Sequence, residues 1–358
     1  MKKISVGQMT ALLVLSRMFA EATRFPLTVS DYNMQRFTAI LIAKIMLVLM
    51  YIPIILFMRK NEGESVISFA VKKSRGLGIT VGIIFIVFIL FTETLTTCKL
   101  QFYASSTIFS QASTLLMIIL LELVCGYGVY KGLQAVARVS TVALVILFVF
   151  IGLVGIAVWK YADFTFLYPA FVEEGGSFIH EIVSEISRNS EILIIPILMS
   201  EVRGKPQKVI YRYIPIIWLL IELMHFLSTV VLGPYLYQVD FPFYILSALS
   251  DVALFQRLDG IDVAIWIMGC IIKRATFTLC VKYIADKIFS PKIGTVTAFA
   301  SLAAVGGVAM AVSGNHDILE LLKTVNATTL PQLVCGVAIP LVLLLMKKPK
   351  GGEQGEQA

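Results

Sequence analysis

Charge is what this sequence has least of. Only 15% of its 358 residues are Asp, Glu, Lys or Arg, too little polar surface for a soluble domain of that length. Cysteine is sparse as well. Cys98, Cys125, Cys270, Cys280 and Cys335 all lie within or at the ends of apolar segments and form no CxxC pair. That argues against a disulfide scaffold or a thiol redox motif and leaves them as small buried hydrophobes. The three histidines, His180, His225 and His316, sit on separate segments, so no metal constellation is visible. The chain also lacks a GxxxxGK(S/T) loop, a GxGxxG after a strand, and a glycine-flanked serine nucleophile. An energy-coupled pump, an intramembrane hydrolase or another enzyme is unsupported, and no cofactor is expected.

What is present in abundance is apolar sequence: 58% of residues are hydrophobic, with a mean hydropathy of +0.86. The pattern predicts an all-α polytopic membrane protein of about ten spans. They lie near residues 8–29, 37–58, 78–103, 112–130, 139–159, 178–200, 211–232, 261–284, 293–313 and 330–346. The net charge of +7 is distributed by side. One set of loops and both termini carry Lys2, Lys3, Arg59, Lys60, Lys72, Lys73, Arg75, Lys131, Arg138, Arg203, Lys205, Lys208, Arg212, Lys282, Lys287, Lys292, Lys347, Lys348 and Lys350. The other side carries Arg36, Lys160, Arg257 and Lys323. By the positive-inside rule both termini are cytoplasmic, and the basic excess reflects topology rather than a nucleic-acid surface. The opening Lys2-Lys3, apolar run and Ala20-Glu21-Ala22 imitate a cleavable signal peptide. Arg17 cuts that apolar run short, so the segment is expected to stay.

Residues 1–346 read as one transmembrane domain, with 8–159 and 178–346 as its halves and 347–358 as a polar, disordered cytoplasmic tail. Five spans per half is an odd number, so the second half runs opposite to the first, a 5+5 inverted repeat. Residue-level similarity between the halves is not evident. The connection Arg59–Leu77 holds an amphipathic stretch at Val66, Ile67, Phe69, Ala70 and Val71, read as a helix on the membrane surface. Asp240–Ile261 reads as a short helix capping the outer mouth, and Asp317–Lys323 has helical spacing at Ile318, Leu321 and Leu322. The glycosylation-like Asn326-Ala327-Thr328 is a chance pattern.

Two spans are interrupted by charge, at equivalent places in the two halves. The first span changes from Met9–Leu15 to Arg17, Glu21, Thr23, Arg24 and Pro26. The sixth carries Glu181, Glu185, Arg188, Asn189, Ser190 and Glu191 before the lipid-compatible Ile192–Met199. Paired broken helices point to a midplane binding site in a transporter-like fold. The first helix is expected to unwind near Ala20, Glu21 and Thr23, freeing main-chain groups for a solute. The alternative is a self-neutralised cluster of Arg17, Glu21 and Arg24 near the interface. Glu191 falls where the sixth helix resumes. It either caps amides there or receives an ammonium while the helix end takes a carboxylate.

Other charges at bilayer depth are expected to face a partner or a cavity. Glu93 with Thr96 and Thr97 forms one polar face of the third span, and a carboxyl in apolar surroundings suits a proton carrier. Glu122 has fewer polar companions. Glu222, His225 and Thr229 form a stripe that serves either a proton path or a helix seam. Lys273 and Arg274, with Thr276 and Thr278, need counter-charges from Glu93, Glu191 or Glu222. Lys273 is also a candidate for the place a sodium ion takes in related transporters. Lys44 and Lys99 read as structural or interfacial.

Three passages carry a family resemblance: ISVGQMTALLVLSRMF (Ile4–Phe19), FLYPAFVEEG (Phe166–Gly175) leading to Glu191, and FPFY (Phe241–Tyr244) with FQRLDGIDVAIWIMG (Phe255–Gly269). In order and spacing over about residues 1–346 the chain resembles the endospore germination permeases. These are the B subunits of spore nutrient receptors, within the amino acid–polyamine–organocation superfamily. The sequence departs from that pattern at the first-helix break, which has no glycine, and at Asp259, where Glu is commoner. The resemblance implies a LeuT-like transporter fold in the spore inner membrane, binding a small germinant, typically an amino acid. It also implies A-type and lipoprotein C-type partner subunits. A proton-coupled amino-acid symporter and a non-binding scaffold are the alternatives.

Overall fold

The computed structural model describes residues 3–23, 34–61, 63–107, 113–168, 175–251, 257–313 and 328–346. Arg24, Pro26, most of Phe166–Gly175, the stretch Asp317–Lys323, Asn326 and the tail 347–358 lie outside them. Among the described residues there are thirteen helices and two short strands. The helices are α1 Val6–Ala22, α2 Met34–Lys60, α3 Val66–Lys73, α4 Arg75–Ser106, α5 Thr114–Lys131, α6 Leu133–Val158 and α7 Gly175–Ser187. They continue with α8 Ile194–Leu198, α9 Gln207–Leu232, α10 Pro242–Leu249, α11 Asp259–Ile288, α12 Pro291–Ser313 and α13 Thr329–Leu345.

Local chemistry sets the helix ends. Ser5 opens α1 with a capping box: its Oγ accepts from Gln8 N (3.2 Å), and its own N–H donates to Gln8 Oε1 (2.9 Å). Ser65 and Ser74 cap α3 and α4 by accepting from Ser68 N and Leu77 N. Gly132, at φ 84°, makes the tight turn between α5 and α6, a backbone region open mainly to glycine. Within α13, Leu333–Ala338 winds as a π-helix just before Pro340.

Seven helices are long and apolar enough to cross a membrane: α2, α4, α5, α6, α9, α11 and α12. Their outward faces form a belt of Ile45, Leu49, Ile83, Val87, Leu116, Leu120, Val142, Val149 and Val296. Such a surface belongs in lipid. Lys131 lies over Tyr127 and Tyr130 at 5.3 and 5.7 Å, the aromatic and basic pairing expected at an interface. The remaining expected spans are the shorter α1, α7 with α8, and α13.

Helix α1 runs through the centre, packed on α6, α9 and α11, and every residue from Met9 to Ala20 is buried. The strands β1 (Ile4–Ser5) and β2 (Val202–Arg203) pair in parallel. They tie the entry of the first span to the exit of the sixth. On the opposite flank α4 meets α11 closely at Gly82, where a Cβ would lie 3.0 Å from Ile284 Cγ2. Small residues let membrane helices approach in this way.

Two expectations need correction. Ile192–Met199 is not lipid-facing: Ile192, Leu193, Ile194, Ile197 and Leu198 are fully buried in the core. Hydropathy alone cannot separate lipid from protein interior, because both are apolar. Likewise the apolar face of α3 is turned to protein rather than to lipid. Val66, Ile67, Phe69 and Ala70 are buried, and α3 packs on α4, α8, α11 and the end of α13. The short helix expected within Asp240–Ile261 is present as α10.

Candidate ligand-binding site

The sixth span is interrupted between α7 and α8. Helix α7 ends at Ser187, Asn189 is non-helical, and tight turns over Ser190–Leu193 and Met199–Glu201 flank the five-residue α8. A break inside apolar surroundings leaves main-chain groups that must find partners. The Ser187 carbonyl accepts from Thr328 Oγ1 (2.7 Å) and from Gln332 Nε2 of α13. The Glu185 carbonyl accepts from Asn189 Nδ2 (2.8 Å). Asn189 in the break itself, with Thr328 and Gln332 at the start of α13, thus satisfies the freed carbonyls.

Glu191 stands at this break and is fully buried. Its Oε1 accepts from Ser16 Oγ of α1 (2.6 Å) and from Lys273 Nζ of α11 (3.0 Å). Lys273 also donates to Ser190 Oγ (2.9 Å) and approaches the Ser16 carbonyl at 3.4 Å. The second carboxylate oxygen, Glu191 Oε2, has no hydrogen-bond partner, nor does the Tyr51 hydroxyl. Tyr51 and Tyr213 both lie within electrostatic reach of Glu191. A buried carboxylate oxygen and a buried hydroxyl, both unsatisfied, are costly unless something completes them.

Six residues earlier, Glu185 collects cations from α1, α2 and the segment just past α7. Arg17 Nη2 and Lys44 Nζ each lie 2.5 Å from its Oε1, and Arg188 Nη1 lies 3.4 Å from Oε2. Arg17 also holds Glu21 Oε2 at 3.2 Å, and Arg36 sits 3.8 Å from Glu21 Oε1. This network ties α1 to α2 and α7. Breaking one partner of such a buried pair typically costs about 3–5 kcal/mol. Lys99 of α4 lies within electrostatic reach of Arg188, Lys273 and Arg17.

Two further polar clusters lie apart from the break. Arg274, fully buried on α11, pairs with Glu93 Oε1 (3.3 Å) and with Glu122 of α5, while Thr278 Oγ1 donates to Glu93 (2.6 Å). Near the start of α11, Asp262 accepts from Tyr103 Oη (2.7 Å) and Trp266 Nε1 (2.8 Å). A largely apolar cavity of about 330 Å³ opens between α4, α5 and α11, lined by Thr97, Gln101, Leu121 and Ile271 among others.

A model of the spore germination protein family, the spore permeases, matches residues 3–317. The chain belongs to that family. No curated protein matches it. Among solved structures it is similar to a Na+-coupled sialic acid symporter in a substrate-bound, outward-open state, at 12% identity. The match covers 95% of this chain and 79% of that one, with a TM-score of 0.64. At that identity the likeness concerns the fold: an integral membrane protein of the spore germination family, built as a transporter-like helical bundle. Family and fold are those of permeases rather than enzymes.

In this family member the break gathers Ser190, Glu191 and Lys273, and it sets Asn189 beside Tyr213 Oη at 3.5 Å. Glu21 joins through Arg17. Other expected residues are placed differently. Ala20 and Glu21 are helical, and α1 ends within the expected stretch, at Ala22. Thr23 caps it, its N–H and hydroxyl both bonding to the Phe19 carbonyl. Thr96, Thr97 and Thr276 donate their hydroxyls to the carbonyls of Thr92, Glu93 and Ile272 on their own helices. They offer a ligand no free donor, because the carbonyl four residues back is the nearest acceptor.

Glu222 accepts from Trp218 Nε1 (3.1 Å), and His225 lies against Phe37 with ring centroids 4.7 Å apart. Of the three carboxylates weighed as counter-charges, Glu191 serves Lys273 and Glu93 serves Arg274, joined by Glu122. Glu191 accepts from Ser16 and Lys273 rather than from the amides of its own turn. Ser16, Tyr51 and Tyr213 were not singled out in the sequence. A lone hydroxyl in an apolar helix carries no distinguishing pattern.

Proposed function

We propose that this protein is the B-type subunit of a spore germinant receptor, binding a small nutrient germinant of the amino-acid class at the break between α7 and α8. The observation that carries the proposal is Glu191 Oε2, a buried acceptor without a partner, with the unpaired Tyr51 hydroxyl within its electrostatic reach. An ammonium group would satisfy the first and a ligand acceptor or donor the second. Because α1, α8 and α11 meet through Glu191, a ligand that binds one arrangement of them better than another would shift the protein between states. The Lys273 ammonium, held by Ser16, Ser190 and Glu191 oxygens, does electrostatically what a bound monovalent cation would do. Binding is therefore expected to be independent of sodium.

The same reading puts the protein in the spore inner membrane with cytoplasmic termini, working with A-type and C-type subunits. Deleting the gene should abolish germination in response to one nutrient class while leaving vegetative growth intact; normal germination would defeat the proposal. A proton-coupled amino-acid symporter is the second reading, favoured by the fold shared with a symporter. It requires strong uptake of labelled amino acids into proteoliposomes, which the receptor reading does not.

A further inference from the structure

Arg274 is shared by two carboxylates, and the charges of the three groups do not cancel. Its Nη1 lies 3.3 Å from Glu93 Oε1, and its Nη2 bonds to Glu122 Oε1. Glu93 Oε2 and Glu122 Oε2 both lack a hydrogen-bond partner among the described residues. One guanidinium facing two ionised carboxylates leaves a net negative charge in apolar surroundings, which is costly until a proton or a cation joins it. The two acids differ in access. Glu93 is fully buried and accepts the Thr278 hydroxyl at 2.6 Å, whereas the Glu122 side chain is 15% exposed. That exposure is onto a groove of about 560 Å³ between α5 and α12, lined by Glu122, Leu123, Phe299, Leu302, Gly306 and Gly307 among others. Small-molecule sites span roughly 300–1,000 Å³. Leu123 and Phe299 are exposed on the outer, lipid-facing surface, so the groove opens sideways. Two glycines shape it. A Cβ on Gly306 would lie 3.2 Å from Glu122 Cγ, so glycine lets the acid rest against α12. A Cβ on Gly307 would meet nothing within 4 Å, so that position faces open space.

We propose that this groove binds an amphiphilic primary amine from the lipid phase, its ammonium on the Glu122 carboxylate and its hydrocarbon body along Leu123, Phe299 and Leu302. Oε2 is itself covered, and a turn of the terminal torsion, which is soft for Glu, brings it to the groove. Charge decides the class of occupant. An uncharged lipid tail would fill the apolar walls and leave the triad of Glu93, Arg274 and Glu122 negative, whereas an ammonium closes its charge and its missing hydrogen bond together. The groove shares no residue with the break between α7 and α8, so its occupancy is tested apart from germinant binding.

The test uses the purified full chain in nanodiscs, photolabelled with decylamine carrying a diazirine at its far end and, beside it, the matching decanol. The amine should label α5 and α12 saturably, about tenfold more than the alcohol, and unlabelled decylamine should compete. Glu122→Gln, which keeps an acceptor for Arg274, should erase that preference. Gly307→Leu fills the groove with Glu122 still in place. It should abolish labelling without lowering the melting temperature, and it decides the matter even where Glu122→Gln fails to accumulate. Labelling that does not saturate, equal labelling by the alcohol, or an unchanged preference in Glu122→Gln would each overturn the proposal. Amine labelling that persists in Gly307→Leu would put the amine elsewhere and overturn the groove, as would a lower melting temperature, which would show the position to be packed. A crosslinked dimer through α5 and α12 that excludes the amine would assign the groove to a second copy of the chain and overturn the proposal as well.

Discussion

Helices α5 and α11 pack against each other, and both are apolar enough to span a membrane, yet 28% of the hydrophobic window of α5 is buried against 78% of that of α11. Helix α5 presents Leu115, Leu116, Leu120, Leu123 and Val124 outward. Helix α11 carries Asp262, Lys273, Arg274, Thr276 and Thr278 inward, and each is buried. The single acid of α5, Glu122, reaches Arg274 of α11. The contrast teaches that ionic chemistry in this molecule follows protein burial, where partners can be fixed, and avoids the lipid face, where they cannot. The same rule holds for α1, whose Arg17 is wholly buried among carboxylates.

The comparison is broken most strongly by stranding a buried charge. Glu185→Ala removes the shared partner of Arg17 and Lys44 and should cost about 3–5 kcal/mol, read as failure to accumulate in membranes or a steep fall in melting temperature. Near-normal stability would show that these cations find water instead. Apolar truncation sharpens it: Leu279→Ala, in the core of α11, should cost about 2–5 kcal/mol. Leu123→Ala, on the outer face of α5, should stay within about 0.5 kcal/mol. Equal losses in detergent melts would erase the distinction between the two helices.

Function at the break should respond differently from stability. Glu191→Gln keeps an acceptor for Ser16 and Lys273 but lacks the charge an ammonium needs, so germinant sensitivity should fall at least tenfold with the protein still present. A loss of accumulation instead would mark Glu191 as structural. The smallest effect is expected at Glu93→Gln, which retains acceptors for Thr278 and Arg274. It should flatten any pH dependence of the response; an unchanged profile removes Glu93 from proton handling.

Much of this architecture was legible in the sequence. The expected span 78–103 lies within α4, 261–284 within α11 and 139–159 overlaps α6, because long apolar runs bounded by charge admit little else. Glu191 and Lys273 were also legible, since charge at bilayer depth is conspicuous. Their pairing was not, because 82 residues separate them and Glu222 was an equal candidate for the lysine. Tyr51 and Ser16 were invisible for a different reason. A hydroxyl in an apolar helix costs little and signals nothing until its neighbours are known.

The sequence by itself determined that the chain enters a membrane many times, and where its charges interrupt that pattern, because transfer of apolar and charged groups into lipid depends on composition alone. The tertiary structure alone decided which apolar residues meet lipid and which meet protein, which carboxylate neutralises which cation, and which polar atoms stay unsatisfied. Those outcomes depend on distances of a few ångströms between segments far apart in the chain, and hydropathy contains no such distances.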